Sequence, residues 1–600
     1  MKERSQHIKP NTKLKLLLDQ VLNYSQLSFF PNRTLFRSYS KSTFLKDLQA
    51  AANVSLLAFP QGIAFALISG LPIQYGIYAS AIAAVVAPFF ASSRLTVIGP
   101  TNATSVLVLS TFLALGPTVD KMGSMGALLF LVGVFLIIGA FLRVATLLQY
   151  VSQTVIIAYI TAAAAFIVAN QIHLVLGFPF EGSSAFGQVC WGTLQNISST
   201  HWPSVMIGLI TATIWLIVAR YFTKFPTLAI TLLVSSLVTW GLGYVGIYVD
   251  TVQGVPMGHW PVGLPTLNFE LMNQMAGSAM AIAFLCVLEA NSIGKSIANR
   301  AGDRLDSNQE MLGVGMANLA CSFFAAMPAS GSLTRSVLNW QSGALTPLSS
   351  IMSGLLCALG ILLLGPLFVY LPKPALAVVV IFVAFSLINK HQIKTAFYAT
   401  RSDRTVFLIT LISALLFALD FAIFLGVACS IILFLRKASE PELVEYSFNN
   451  EGHLQPIKEN ETRVNPQISI VHVEGDLFFG ASELFRDQVR RVCSDVNLKV
   501  IILRLKNAYH LDATSVLALE ELIRHLRENG RHLIVSGARK DVYRVFKNSG
   551  LLEFLGKENF FMGSAQNPNV ATRNALKRAQ ELMGNAKADI RIFYDPNKKG

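Results

Sequence analysis

Pro328-Ala329-Ser330-Gly331-Ser332 breaks a long apolar stretch, and Leu333-Thr334-Arg335-Ser336-Val337-Leu338-Asn339 follows it. A second break of the same kind, Ile98-Gly99-Pro100-Thr101, lies in the first half of the chain. Each opens an apolar run of about half the ~20 residues that a bilayer-crossing helix needs. Gly, Pro and Ser punctuate helices because they free or remove backbone hydrogen bonds. A short apolar run after such a break therefore predicts a helix that begins inside the membrane.

Outward from these two breaks, apolar runs predict membrane segments near 51–70, 74–91, 101–115, 124–143, 153–176, 204–222 and 226–248. Seven more follow near 275–298, 309–327, 332–344, 346–365, 372–389, 404–419 and 421–436. The two short runs are the third of the first seven and the third of the second seven. That spacing predicts an α-helical polytopic membrane protein of 14 segments, built as a 7+7 inverted repeat whose broken helices meet near the bilayer midplane.

Composition agrees. Of 600 residues, 53% are hydrophobic and 14% charged, against roughly 25% charged in soluble domains, and mean hydropathy is +0.52. Charge crowds into residues 1–47 and 438–600. The net charge of +14 reads as cytoplasmic loops facing anionic membrane lipid rather than as a nucleic-acid footprint. The six cysteines are scattered without CxxC or Cys/His spacing, so no metal site, cofactor or disulfide framework is expected. No P-loop pattern is present, and the chain does not read as an enzyme.

The loops fix an orientation. Arg94, Arg143, Arg220, Lys224, Arg300, Arg304, Lys390, Lys394, Arg401, Arg404, Arg436 and Lys437 follow even-numbered segments, whereas 177–202 and 249–274 hold no Lys or Arg. Lys373 is the exception. By the positive-inside rule both termini are expected in the cytoplasm of a multi-pass cell-membrane protein, with a bacterial inner membrane as the expected setting. The basic first residues lack the compact apolar core of a cleaved signal peptide.

Two helix N-termini inside hydrocarbon would each present unpaired N–H groups and roughly half a positive charge, which calls for an anion. Ser332, Arg335, Ser336 and Asn339 fall at i, i+3, i+4 and i+7, on one face. Thr101, Thr104 and Ser105 form a shorter hydroxyl stripe, and Gln61 breaks the first apolar run. Glu289, Ser292 and Ser296 share a face of the eighth segment. Gln61, Thr101, Ser332, Arg335 and Ser336 are therefore candidate substrate contacts for a small anion, and Glu289 with Ser292 a candidate coupling site for H+ or Na+. Blander readings stay open: hydroxyls bonding their own backbone, Gln61 joining two helices, and Arg335 with Glu289 as a structural ion pair.

The stretches Phe59-Pro60-Gln61-Gly62-Ile63-Ala64-Phe65-Ala66, Gly70-Leu71-Pro72, Tyr75-Gly76-Ile77-Tyr78, Ser93-Arg94 with Gly99-Pro100, and 331–339 with Gly343 resemble the sulfate permease (SulP) family across residues 44–562. The resemblance implies a core domain moving against a gate domain, homodimers, and substrate held between the third and tenth helices, which adds Asn102 to the candidate contacts although it departs from the family's pattern. It also implies substrates such as sulfate, bicarbonate, chloride and dicarboxylates. The acid at Glu289 favours symport, so sulfate/proton symport is the leading expectation. Sodium-coupled bicarbonate uptake and anion exchange (chloride, dicarboxylate) are alternatives. An anion channel is the alternative from another class, and a nucleobase permease is disfavoured by Arg335.

The expected division is a cytoplasmic arm at 1–47, a membrane domain at 48–437, a linker at 438–465, an α/β domain at 466–562 and a basic tail at 563–600. Strands near 468–473, 499–505 and 532–536 alternate with helices near 482–495, 514–528 and 540–549. In resemblance terms this is a STAS domain, with a cytosolic partner implied. Ala513 stands where related proteins carry a phosphorylatable Ser, and Asp512 or Thr514 is the expected N-cap.

Overall fold

The computed structural model describes residues 27–31, 39–116, 119–147, 151–179, 186–221, 227–252, 262–438, 442–448, 454–456, 467–476, 497–509, 511–563 and 570–584. It divides into two compact units, Met1–Ser430 and Ile431–Gly600.

Each expected membrane segment has a helix. The first seven are α1 (Lys41–Ile68), α2 (Gln74–Phe90), α3 (Asn102–Leu115), α4 (Lys121–Phe141), α5 (Gln153–Leu176), α6 (Trp202–Tyr221) and α7 (Thr227–Gly243). The second seven are α8 (Phe269–Ala301), α9 (Ser307–Cys321), α10 (Leu333–Gln341), α11 (Leu348–Leu364), α12 (Lys373–Leu387), α13 (Arg401–Leu416) and α14 (Leu419–Ala438). Eight spans among the described residues are long and apolar enough to cross a bilayer. The protein is a multi-span membrane protein.

α3 and α10 are the short helices, with 14 and 9 residues. The two-residue strands β1 (Ile98–Gly99) and β2 (Ser330–Gly331) lead into them and pair antiparallel, Ile98 with Gly331 and Gly99 with Ser330. The pairing gives the backbone groups of both breaks partners that hydrocarbon cannot supply. Packing repeats between the halves: α4 lies against α8 and α9, as α11 lies against α1 and α2. α1 and α2 cross at Gly62 and Gly76, where a Cβ on Gly62 would stand 2.8 Å from the Gly76 carbonyl oxygen.

Differences from expectation lie at the edges. α1 begins at Lys41, capped by Ser40, whose Oγ accepts from Thr43 N–H at 3.2 Å. The expected cytoplasmic arm therefore includes the first helical turns. Asp47 on them is fully buried because it accepts from the N–H groups of Leu345 and Thr346 and from the Thr346 and Tyr39 hydroxyls. Helices also occupy Phe186–Gln195 and Lys390–Tyr398, within stretches read as loops.

The second unit is a six-stranded sheet in the order β4-β3-β5-β6-β7-β8. Its strands are β3 (Glu442–Phe448), β4 (Leu454–Pro456), β5 (Ile468–Asp476), β6 (Val500–Tyr509), β7 (His532–Ala538) and β8 (Phe560–Met562). β5 to β8 run parallel, and β3 pairs antiparallel with β5 and β4. Helices α15 (Ala513–Glu528) and α16 (Lys540–Asn548) supply Leu519, Leu522, Val542 and Phe546 to one core. α17 (Val570–Leu582) places Ala575, Leu576 and Ala579 against Ile468, Ile470, Val500, Ile502 and Ile534 in a second core.

Two boundaries are thereby corrected. The expected linker at 438–465 carries β3 and β4, because residues 442–446 find partners along β5. The tail expected from 563 contributes α17, whose small apolar residues recur at helical spacing and cover β5, β6 and β7. The helix expected at 482–495 lies outside the described residues. Asp512 is the cap of α15, its Oδ1 accepting from Ser515 N–H at 2.9 Å.

Candidate functional site

The site is built where α3 and α10 begin. Thr101 caps α3 in a reciprocal box: its Oγ1 accepts from Thr104 N–H at 3.3 Å, and Thr104 Oγ1 accepts from Thr101 N–H at 3.2 Å. Ser332 caps α10 without any side-chain bond to the helix. The first N–H groups of α10 are thus uncapped by a side chain, and its dipole end is open to an acceptor.

The polar face expected on α10 is buried, but it turns toward the other half's lead-in rather than into open space. Ser332 N–H donates to Val97 O at 3.1 Å, Val97 N–H to Ser336 Oγ at 3.0 Å, and Asn339 Nδ2 to Leu95 O at 3.0 Å. Arg335 reaches the carbonyl of Pro100 and, at 3.4 Å, the Ser80 hydroxyl. Its guanidinium carbon stands 6.0 Å from the Phe65 ring centroid. Gly99 makes this possible, since a Cβ there would collide with the guanidinium.

Arg335 is 0% exposed and, among the described residues, has no carboxylate at ion-pair distance. The blander alternative, a structural Arg335–Glu289 ion pair, is therefore not formed in this structure. Glu289 Oε2 instead accepts from Thr101 Oγ1 at 3.0 Å. This places the acid of α8 at the positive end of α3. Ser292 is exposed, one turn further along α8.

Gln61 on α1 donates to Thr334 Oγ1 at 3.4 Å, which brings it to the first turn of α10. Its Oε1, and Oδ1 of Asn102 in the first turn of α3, are buried without a hydrogen-bond partner. Buried polar atoms ordinarily have partners, and one left without them marks a place where a ligand or water belongs. Gln61, Thr101, Asn102 and Ser332 thus lie around the two helix starts. Arg335 and Ser336 stand behind them, joining the halves.

The second break is clamped as tightly. Asn318 on α9 donates to Ala329 O at 2.8 Å and accepts from Ala329 N–H at 2.9 Å, and Ser330 Oγ donates to Cys286 O at 3.1 Å. Sequence reasoning passed over Asn318, a single amide in an apolar run. It also passed over Glu310, fully buried at the start of α9, where Oε2 accepts from Ser93 N–H at 2.9 Å. An acid inside an apolar segment was the signal available for Glu310.

Two antiparallel lead-ins feeding two opposed half-helices, with a buried cation behind them, define a broken-helix membrane protein of inverted-repeat architecture. Residues 44–410 match the sequence profile of the sulfate permease family, and residues 459–566 match that of the STAS domain. The chain belongs to the sulfate permease family.

Relatives include sulfate transporter 4.1, chloroplastic, of Arabidopsis thaliana, 28% identical over 89% of this chain and 81% of its own length. A putative sulfate transporter of Bacillus subtilis is 25% identical over 88% of this chain and 97% of its own. Among solved structures, a murine solute carrier 26 anion transporter in the inward-facing state superposes with a TM-score of 0.81 at 20% identity, covering 97% of this chain and 96% of that one. The transmembrane domain of a cyanobacterial bicarbonate transporter gives 0.58 at 18% identity, over 67% of this chain and all of its own. At these identities the structures show a shared fold.

Proposed function

We propose that the protein is a secondary active transporter of small anions, with sulfate/proton symport as the specific reading. The observation that carries it is Arg335: a buried guanidinium with no carboxylate beside it among the described residues, next to two half-helix N-termini. A charge so placed is expensive unless something neutralises it, and a bound anion does so. Gln61, Thr101, Asn102 and Ser332 then contact the anion, while Arg335 and Ser336 act from behind, through charge and through the β1–α10 clamp.

Glu289, with Ser292 near it on α8, is the proposed coupling group. Sulfate enters the reading because sulfate transporters of a plant and a bacterium are among the relatives. The chain further reads as a homodimer in a cell membrane, both termini cytoplasmic, with the STAS domain available to a cytosolic partner.

Purified protein in proteoliposomes, offered sulfate, bicarbonate, chloride and fumarate under separate pH and Na+ gradients, tests the transport reading. Sulfate accumulation driven by an inward H+ gradient is expected. Accumulation driven by Na+ alone would replace H+ with Na+ as the coupling ion. Flux without trans-stimulation by internal substrate would replace the carrier with a channel.

A further inference from the structure

Packing groups α1–α4 with α8–α11, and α5–α7 with α12 and α13, while Gly426 of α14 stands against Val155 of α5 and Thr410 of α13. Among the described residues, three hydrogen bonds cross between the first group, read as the core, and the second with α14, read as the gate. Ser278 Oγ on α8 donates to Asp420 Oδ2 on α14 at 2.7 Å. Leu419 N–H, at the start of α14, donates to Ser110 Oγ on α3 at 3.2 Å. Tyr159 OH on α5 donates to Ala103 O in the first turn of α3 at 3.0 Å. Adjacent gate residues, Leu419 and Asp420, therefore hold both core helices that flank the site.

Helical spacing relates these contacts to the site. Ala103 and Ser110 are seven residues apart and fall on one face of α3, so α3 meets the gate along a single stripe. Ser278 and Glu289 are eleven residues apart, within about 20° of each other around α8 and about 16 Å apart along it. The Asp420 contact thus lies three turns beyond Glu289 on the same face, toward the α8 end opposite the basic Arg300–Arg304 loop. Leu107 on α3, and Ile282 and Leu285 between Ser278 and Glu289 on α8, are each at most 2% exposed.

We propose that Asp420 is a positioning residue: with Leu419 and Tyr159 it latches core to gate on the side away from the basic loops and closes the anion site there. The proposal rests on the transporter reading above. A core that slides against the gate must break all three bonds. Hydroxyl and carboxylate groups suit this, because water takes over their bonds when they part. An apolar seal in the same place would instead have to expose hydrocarbon to water.

The test is thiol labelling of the full-length protein in membranes. Leu285→Cys, with Cys190→Ser and Cys286→Ser removing two native thiols, is exposed to a membrane-impermeant maleimide from the side opposite the basic loops. With the latch intact labelling is slow. Asp420→Ala is expected to raise its rate about tenfold, as are Ser278→Ala and, with the ring retained, Tyr159→Phe. Asp420→Asn is expected to stay within about twofold of the parent, since its amide oxygen accepts the same hydroxyl proton. If Asp420→Ala fails to fold, Ser278→Ala removes the same bond from the other side. Parent-like labelling in the Ala variants, or an Asn variant that labels like Ala, overturns the proposal. Labelling needs no transported ion, so a parent that transports no anion would strike the transporter reading and leave this result legible.

Discussion

Thr101 Oγ1 donates to Glu289 Oε2 at 3.0 Å, so the hydroxyl that caps α3 also ties the acid of α8 to the positive end of that helix. An ionised Glu289 draws on the same half-charge that a bound anion would use. Acid and substrate therefore compete electrostatically at one helix end, and a cation that neutralises Glu289 favours the anion. Under the proposed symport, coupling would follow from that competition without direct contact between the two ions.

Arg335→Gln removes the buried charge and, with its shorter side chain, the contact that the guanidinium makes with the Pro100 carbonyl. Apparent anion affinity is expected to fall at least tenfold in uptake assays, with the oligomer still eluting as the parent does. Arg335→Lys restores the charge without the planar fork, so affinity should recover in part. Parent-like affinity and rate in the Gln variant would remove Arg335 from the site.

Gly99→Ala sets a methyl group against the Arg335 guanidinium. The arginine must then leave Pro100, or β1 must part from β2. We expect lower thermal stability and lost uptake. The two positions touch, so a cycle of Gly99→Ala with Arg335→Gln should show a coupling of about 0.5–3 kcal/mol. Strict additivity would show that the methyl is accommodated elsewhere.

The broken helices were legible because Gly, Pro and Ser mark them in the sequence, at 98–101 and at 328–332. The side to which α10 turns its polar face was not. Periodicity places Ser332, Arg335, Ser336 and Asn339 on one face, but only the β1–β2 pairing reveals that the face meets residues 95–100 of the other half. Tyr159 gave no sequence signal for a similar reason, since its partner is a helix carbonyl; Asp420, an acid between two apolar runs, gave one, but its partner, a single serine far along the chain, was hidden. β3 was hidden because Glu442 and Glu445 make its stretch read as polar, although pairing with β5 orders it.

The second core of the STAS unit depends on α17, which lies beyond residue 566, where the domain profile ends. Leu576 is 3% exposed there. Leu576→Ala in a 442–584 fragment is expected to lower its unfolding free energy by about 2–5 kcal/mol, read by denaturant titration. A 466–562 fragment, without β3, β4 and α17, exposes Ile470, Ile502 and Ile534 and should aggregate or unfold at lower denaturant. Equal stability of the two fragments would make α17 dispensable.

Glu289→Gln separates coupling from binding. The amide is nearly isosteric, and its oxygen still accepts from Thr101, so the cap of α3 and the geometry of the site are retained. What disappears is the negative charge and its capacity to take up a proton or a cation. Exchange of internal for external anion needs only the anion site, and it should continue at a rate within severalfold of the parent. Uphill accumulation needs the charge, because only a group that is anionic when empty links cation entry to anion entry. It should vanish in the variant under both an imposed pH gradient and an imposed Na+ gradient. Proteoliposomes preloaded with sulfate measure exchange, and empty ones with an imposed gradient measure accumulation, so a single preparation yields both. A Gln variant that concentrates sulfate as the parent does would make Glu289 a structural partner of Thr101 and move the coupling site elsewhere. Loss of both activities together would instead mean that the charge holds the site open.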